Sequence, residues 1–365
     1  MIDLNNHLFG EVPTENNLKA YPTMLDILDS VMFKAGLESN HLLSSFLAPV
    51  FAGGYIACTI GKGPNIVGLC PQGFTTTKRF RGQQHYYPIC LSSYDRIINE
   101  RDKIVADLQA SEFEILLKSH PVIQIISSCP VNSPVGPVFF NIDFEGLAQH
   151  YGIPTKVLDF SNDLATSAFF AVTVYDRQTD QYTPYVPSDS ALLDDLCGVL
   201  YYCDDVQYED GLCFRPLGMH YFNRPGAQSG FAFDPKKERN LNNIPFIKKI
   251  FFRHDADVSK MIFNSQAKGK MLFPEDSLCG KAQRIIEKKD VCSAAFELWC
   301  EKNSNVRTRE QALKLLQENK IHIVDEPLVS FEHNEIDKDC KEWDTFGKYR
   351  FLEKVKFIPF FKPIN

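Results

Sequence analysis

The sequence lacks the cysteine and histidine patterns that bind metal ions. Its eleven cysteines include no C-x-x-C pair, and Cys197/Cys203 and Cys292/Cys300 have neither the spacing of a zinc site nor neighbouring histidines. The nine histidines are dispersed. An odd number of scattered cysteines is typical of reduced, mostly buried thiols in the cytosol. The sequence therefore predicts a cytoplasmic protein without a metal site.

The chain also lacks an excess of positive charge. Its formal charge is −7 and its pI is about 5.8, which argues against a general binder of nucleic acid or of anionic membranes. Residues 1–17 contain no basic region followed by an apolar run, so no secretory signal is expected. Residues 42–60 are apolar, but Pro49 and Gly53-Gly54 interrupt them, which favours a buried helix followed by a buried strand. We expect no association with a membrane.

Common catalytic motifs are missing as well. The loop that starts Gly61-Lys62-Gly63 lacks the spacing of a phosphate-binding loop. Cys213 and His220 are close in sequence, but no nucleophile elbow surrounds them. Neither a Ser-His-Asp triad nor a Cys-His pair is therefore supported.

The most informative stretch of the chain is Leu147–Val172. Gly152 and Pro154 break the chain and precede an extended run, residues 155–160, that is rich in apolar and β-branched residues. A polar turn follows, and from residue 164 apolar and small residues recur at helical spacing. The pattern predicts a strand, a short turn and a helix, which brings backbone N–H groups and short hydroxyls to the mouth of a cleft.

Hydrophobic periodicity and turn signals predict the other elements. They indicate strands at 74–82, 198–203 and 248–252, helices at 95–118, 258–264 and 272–288, a long Pro- and Ser-rich loop at 120–140, and a capping box at Thr308 and Gln311. An apolar content of 44% supports a packed core, and the mixture of elements predicts an α+β fold. We divide the chain into a helical N-terminal segment (1–70), a central domain (71–290) and a C-terminal extension (291–365).

Four sequence blocks of the central domain occur in a recognisable order. They are Phe80–Gln84 (FRGQQ), Leu147–Asp163 (LAQHYGIPTKVLDFSND), Arg224–Phe231 (RPGAQSGF) and Leu272–Asp276 (LFPED). In this order they resemble the FRG domain family of bacterial proteins, with Phe160, Ser161 and Glu275 in place of the usual Trp, Thr and Asp. The resemblance extends over about residues 74–288. The family has no settled activity, so this resemblance implies a domain but not a reaction.

The order of the blocks is also similar to that in ADP-ribosyltransferases, which bind NAD with Arg or His, Ser/Thr or Tyr, and Glu or Gln on three strands. The similarity implies a split antiparallel sheet core and NAD as cofactor. Arg81 would bind the phosphates, Ser161 the nicotinamide ribose or Arg81, and Gln228 the ribose 2′-hydroxyl. The target would be a protein or a nucleic acid. Neutral Gln228 stabilises an oxocarbenium-like transition state less than a glutamate does, which favours a nucleophilic target such as a nucleobase.

Five further residues of these blocks are candidates for the same site. His150 is a candidate general acid or base, and Gly82, Gln83, Tyr151 and Phe160 are candidate cofactor-binding residues. Each has a structural alternative. The histidine can bind a carbonyl in the core, the glycine can allow a close backbone contact, and the aromatic rings can belong to the core.

Arg81 and the two glutamines have structural alternatives too. Arg81 can pair with Asp159 or Glu112, because a buried arginine requires a partner. Gln149 and Gln228 can join backbone segments as buried amides. Asp159 is expected to cap a helix or to form an ion pair.

Three functions are therefore compatible with the sequence. The first is an ADP-ribosyltransferase-like enzyme that uses NAD in bacterial host conflict or phage defence, a role that rests on the family resemblance alone. The second is a non-catalytic recognition module that binds a nucleotide, a nucleic acid or a phage protein in the same cleft. The third is an interaction protein in which the four blocks are purely structural.

Overall fold

The structure is a computed structural model. It describes residues 6–30, 55–59, 66–71, 78–128, 131–133, 136–140, 142–176, 178–179, 181–188, 190–204, 214–217, 222–274, 277–347 and 355–357. The helix expected to end near Pro49 lies outside these residues, as do Cys213, His220 and Glu275.

Two sheets contain most of the strands. The strands are β1 (Tyr55–Thr59), β2 (Ile66–Pro71), β3 (Lys78–Gln83), β4 (Val131–Ser133), β5 (Gly136–Phe140), β6 (Leu158–Ser161), β7 (Thr173–Asp176), β8 (Gln181–Pro184), β9 (Cys197–Asp204), β10 (Phe214–Pro216), β11 (Gly230–Phe233), β12 (Lys248–Arg253), β13 (Val291–Cys292), β14 (Ile323–Val324) and β15 (Val355–Phe357). Six form a sheet in the order β10-β11-β6-β3-β9-β12, in which every pair is antiparallel. A mixed sheet has the order β15-β1-β2-β5-β4.

The helices surround these sheets. They are α1 (Glu100–Ser119), α2 (Pro121–Ser128), α3 (Phe144–His150), α4 (Leu164–Ala171), α5 (Leu193–Leu196), α6 (Asn223–Ala227), α7 (Ala256–Ser265), α8 (Ser277–Glu287), α9 (Ser293–Lys302), α10 (Arg309–Glu318) and α11 (His333–Glu342). Residues 24–30 are also helical. The combination of these helices with a multi-stranded antiparallel sheet confirms the α+β class.

The segment predicted as a long loop, residues 120–140, was wrongly assigned. It contains α2, β4 and β5. Pro121 is the first residue of α2, a position where its missing N–H leaves no hydrogen bond unmade. Val122, Ile123 and Ile126 of this helix are buried, so the packing of an apolar face stabilises a helix that composition alone did not indicate.

The register of the six-stranded sheet decides which side chains share a face. Opposed residues of antiparallel strands carry their side chains on the same face, and neighbours along a strand alternate. Ser161 is opposite Phe80 and Gly230, so it shares a face with Gly82 and Asp159. We call this the helix face, because α3 and α4 cover it.

Close contact with the helices requires small residues on the helix face. A Cβ atom on Gly82 would lie 2.0 Å from the carbonyl oxygen of Ser167 and 2.7 Å from Cβ of Ala171, both in α4. A Cβ atom on Gly230 would lie 2.7 Å from Nε2 of His150, the last residue of α3. The glycines therefore set the distance between the sheet and both helices.

The opposite face, here the aromatic face, carries much of the main core. Phe160 packs edge-on against Phe214, with ring centroids 4.9 Å apart, and Phe233 stacks on Phe214 at 4.6 Å. The guanidinium of Arg79 lies 3.9 Å from the centroid of the Phe231 ring. Arg81 is opposite Tyr201, so its side chain leaves the strand on this face.

The C-terminal helices pack against the long helix α1. Phe296 and Trp299 of α9 share a hydrophobic cluster with Leu108 of α1 and Leu316 of α10. The buried Glu112 accepts a hydrogen bond from the backbone N–H of Cys292. Burial raises the pKa of the Glu112 carboxyl.

In the part of the chain that the structure describes, no helix is long and apolar enough to cross a membrane.

Candidate functional site

The four sequence blocks meet at one junction around β6. They contribute Arg81 from β3, Gln149 and His150 from α3, Asp159 from β6, and Arg224 and Gln228 from α6 and its C-terminal end; Leu272 and Phe273 of the fourth block adjoin them. We call the first six residues the motif cluster. Their juxtaposition depends on the pairing of β11 with β6 and of β6 with β3.

The strand-turn-helix unit in the second block is confirmed, with shorter limits than predicted. The strand is Leu158–Ser161 and the helix begins at Leu164. Asp163 is the N-cap residue of α4, since its carboxylate accepts hydrogen bonds from the backbone N–H groups of Ala165 and Thr166. Gly152, with a φ of 87°, follows the C-terminal end of α3.

Asp159 lies at the centre of the motif cluster. Its Oδ2 accepts a hydrogen bond from the Gln149 amide at 3.3 Å, and its backbone oxygen accepts one from Nη1 of Arg81 at 2.8 Å. Its Oδ1 is 3.6 Å from Nε2 of His150. The Asp159 side chain is 37% exposed, so a ligand can approach this carboxylate from solvent.

His150 is buried against the carboxylate of Asp159. Burial lowers the pKa of the imidazole; Asp159 raises it, and the positive charge of Arg224 lowers it. The net direction is downward, so His150 is neutral at pH 7. A neutral imidazole carries one donor and one acceptor nitrogen, and it can pass a proton in either direction.

Ser161 and Gln228 are close together, and both are engaged in backbone hydrogen bonds. The Ser161 hydroxyl donates to the carbonyl oxygen of Gln228 at 2.8 Å and accepts from the backbone N–H of Asp163 at 2.9 Å. The Gln228 amide donates to the carbonyl oxygen of Leu272 at 3.1 Å. Their exposures are 5% and 6%. These contacts tie the turn before α4 and the end of α6 to the sheet.

The Arg81 side chain is not brought to the Ser161 hydroxyl. Arg81 leaves β3 on the aromatic face, whereas Ser161 is on the helix face. The two strands pair only at Phe80 and Ser161, and beyond that point the Arg81 guanidinium, rather than a strand, binds the carbonyl of Asp159. The guanidinium thus lies where β3 and β6 separate.

The four candidate cofactor-binding residues besides Arg81 and Ser161 have packing contacts. Gly82 contacts α4, and the Gln83 amide lies 3.6 Å from the sulfur of Cys90. Tyr151 and Phe160 are buried in two different hydrophobic clusters. The ring centroid of Tyr151 lies 5.6 Å from the guanidinium of Arg224, a residue of the motif cluster.

Arg224 is a cluster residue that the motif analysis did not assign to the site. Its guanidinium also lies 4.9 Å from the Phe273 ring centroid, and Nη1 is 3.4 Å from the sulfur of Cys279. The third block begins with this arginine and the fourth supplies Phe273. A cation paired with aromatic residues of other blocks is the signal that could have identified it.

Four polar atoms of the motif cluster are buried without a hydrogen-bond partner among the described residues. They are Nε of Arg81, Nε2 of His150, Oδ1 of Asp159 and Nε of Arg224. Two of them, Nε2 of His150 and Oδ1 of Asp159, face each other at 3.6 Å, just beyond hydrogen-bond distance. Buried polar atoms in native proteins are nearly always paired, so these unpaired atoms mark the motif cluster as a candidate site. No group of three or more metal-ligating side chains occurs in the described part of the chain.

Comparison with known proteins agrees with the family resemblance. The family model of the FRG domain matches residues 77–180, a segment that includes the first two blocks and therefore Arg81, His150 and Asp159. The FRG assignment is thus confirmed for this segment. No curated protein and no solved structure matches the chain.

Proposed function

We propose that the FRG domain of this protein is a recognition module that binds a ribose-bearing nucleotide at the motif cluster. The observation that carries the proposal is the partly exposed carboxylate of Asp159. Its Oδ1 lies 3.6 Å from Nε2 of His150, and both of these atoms, like Nε of Arg81 and Nε of Arg224, are buried without a hydrogen-bond partner among the described residues. A bound ligand would satisfy atoms that otherwise cost the folded protein free energy.

The chemistry of these atoms matches a nucleotide. An ionised carboxylate only accepts hydrogen bonds, and a ribose diol supplies donors to it. Arg81 uses Nη1 for the Asp159 carbonyl and has Nε unpaired, and Arg224 also has an unpaired Nε. Guanidinium donors suit phosphate oxygens. The cluster thus supplies an acceptor for the sugar and donors for the phosphate.

Binding without reaction is the simpler function for this arrangement. The Ser161 hydroxyl and the Gln228 amide are buried and already bound to backbone groups. To contact a substrate they would have to give up these hydrogen bonds, and the loss would expose unpaired carbonyl groups.

The second candidate is an ADP-ribosyltransferase-like enzyme, and the neutral His150 beside Asp159 favours it. Asp159 would provide the negative charge near the sugar that Gln228 lacks. The bond between nicotinamide and ribose C1′ would break, nicotinamide would leave with the bonding electrons, and the target nucleophile would bond to C1′. A role in bacterial defence belongs to this candidate.

The variant Asp159→Asn distinguishes these functions. We expect calorimetry to detect binding of NAD and ADP-ribose to the wild type, with roughly tenfold weaker binding to Asp159→Asn, because the charged acceptor is lost. Liquid chromatography should detect no nicotinamide release. Asp257→Asn, which changes a 94% exposed carboxylate, is the matched control and should bind like the wild type.

Two results would count against recognition at this cluster. One is the same affinity for Asp159→Asn and wild type at an unchanged melting temperature. The other is release of nicotinamide by the wild type but not by Asp159→Asn, which would establish the enzyme instead.

A further inference from the structure

A second polar site lies beside the N-terminal part of α1. A cavity of about 390 Å³ is lined by Tyr94, Lys103, Lys156, Lys236 and Arg239, together with two aspartates, Asp95 and Asp234. It shares no lining residue with the motif cluster. Its cations come from α1, from the segment between α3 and β6, and from the loop after β11.

The cavity is positively charged although the whole chain carries a formal charge of −7. Asp234 pairs with Lys236 at 2.7 Å, and Asp95 lies 3.8 Å from Arg239. Lys103 and Lys156 form no ion pair with any described residue; instead their ammonium groups lie 6.0 and 5.0 Å from the ring centroid of Tyr94. The lining therefore carries four cations and two carboxylates, and Lys103 and Lys156 form no ion pair with the described residues there. Lys156 also interacts at longer range with the carboxylates of Asp107 and Glu145.

The loop that carries Lys236 and Arg239 is held in an unusual conformation. The backbone φ angles of the two residues are positive, 55° and 54°, and residues other than glycine seldom adopt this conformation. The Asp234 carboxylate accepts a hydrogen bond from the backbone N–H of Lys236 at 2.8 Å, and the Asn240 side chain accepts one from the N–H of Cys90 at 2.9 Å. Strained backbone that its surroundings fix in this way is concentrated at binding sites.

The ring of Tyr94 forms a fixed wall of the cavity. Its hydroxyl donates a hydrogen bond to the carboxylate of Asp107 at 3.1 Å. Burial raises the pKa of the Tyr94 phenol, so the ring remains neutral in the physiological range.

We infer that this cavity binds the phosphate groups of a small phosphorylated ligand that carries at least two negative charges. Compact ammonium groups from separate elements, a guanidinium and a volume of a few hundred cubic ångströms are the features of such a site. A nucleic acid is a poorer partner, because the net negative charge of the chain repels an extended polyanion. The inference goes beyond the proposed function and does not depend on it.

Inorganic pyrophosphate is the probe for this site, since it has no ribose for Asp159 to bind. Calorimetry at constant ionic strength should detect binding to the wild type. The double variant Lys103→Gln/Lys156→Gln should bind at least roughly tenfold more weakly, because charge-assisted hydrogen bonds are lost. Asp234→Asn keeps the side-chain oxygen that binds the N–H of Lys236, removes a negative charge from the cavity, and should bind more tightly.

The matched control is Lys237→Gln. Lys237 belongs to the same loop and is exposed, but it does not line the cavity. Lys237→Gln should bind pyrophosphate like the wild type. The inference is overturned if the wild type does not bind pyrophosphate, or if Lys237→Gln weakens binding as much as the double variant does. It is also overturned if a short oligonucleotide binds to the wild type more tightly than pyrophosphate does and the double variant no longer binds that oligonucleotide.

Discussion

Gly82 shows how a single residue of the FRG motif can be required for packing rather than for ligand binding. A Cβ atom there would lie 2.0 Å from the Ser167 carbonyl oxygen, a backbone atom that moves only with the whole of α4. We expect Gly82→Ala to lower the free energy of unfolding by about 3 kcal/mol or more through overpacking. Urea denaturation measures the change.

Gly280 provides the matched control for this substitution. It lies in α8, and a Cβ atom there would have nothing within 4 Å. Gly280→Ala should raise the free energy of unfolding by up to about 1 kcal/mol, because alanine is the better helix former. Equal stability of Gly82→Ala and the wild type would mean that α4 is displaced without cost and that Gly82 is not fixed by packing.

At the scale of elements, α4 depends on its N-cap. Asp163 accepts hydrogen bonds from two backbone N–H groups and, at 2.6 Å, from the hydroxyl of Thr166. Asp163→Ala should lower the free energy of unfolding by about 1–2 kcal/mol, whereas Asp163→Ser, which retains a capping oxygen, should lower it by less. Thermal unfolding of the two variants shows which of them is the more stable. An equal loss of stability in both variants would contradict the capping role.

Elements whose signals are local were predictable. The strands at 198–203 and 248–252 and the capping box of Thr308 occur as predicted to within one residue. The helix predicted at 95–118 also occurs, but it begins at Glu100, five residues later than expected. The elements in residues 120–140 were not predictable, because their stability depends on distant parts of the chain. The helix α2 is stabilised by the burial of its apolar face, and β4 and β5 are stabilised by pairing within a sheet.

The candidate site was predictable only in part, for a similar reason. The motif blocks identify Arg81, His150 and Gln228, but the face on which each side chain lies follows from strand register, which a distant pairing sets. Asp159 was expected only to cap a helix or to form an ion pair. Its position between His150, Gln149 and Arg81 depends on contacts with residues that are up to 78 positions away in the sequence.

For the whole molecule, buried histidines make stability depend on pH. Burial lowers the pKa of His120 and His150, and it lowers that of His254 to about 4. Unfolding returns each imidazole to a pKa of about 6.5. Below that pH the unfolded chain binds more protons than the folded chain does, so each such histidine makes the protein less stable as the pH falls.

His254 is the most direct test of this dependence. One of its ring nitrogens hydrogen-bonds the carbonyl oxygen of Gln84 at 2.8 Å, and its ring packs on Tyr185 at 4.4 Å. Between pH 7 and pH 5 its contribution should lower the free energy of unfolding by about 1–2 kcal/mol. Urea denaturation at both pH values should give a smaller decrease for His254→Asn than for the wild type. His333→Asn, which alters a 92% exposed histidine, should retain the wild-type decrease. The same decrease in all three proteins would mean that carboxyl groups, rather than this buried imidazole, control the acid sensitivity.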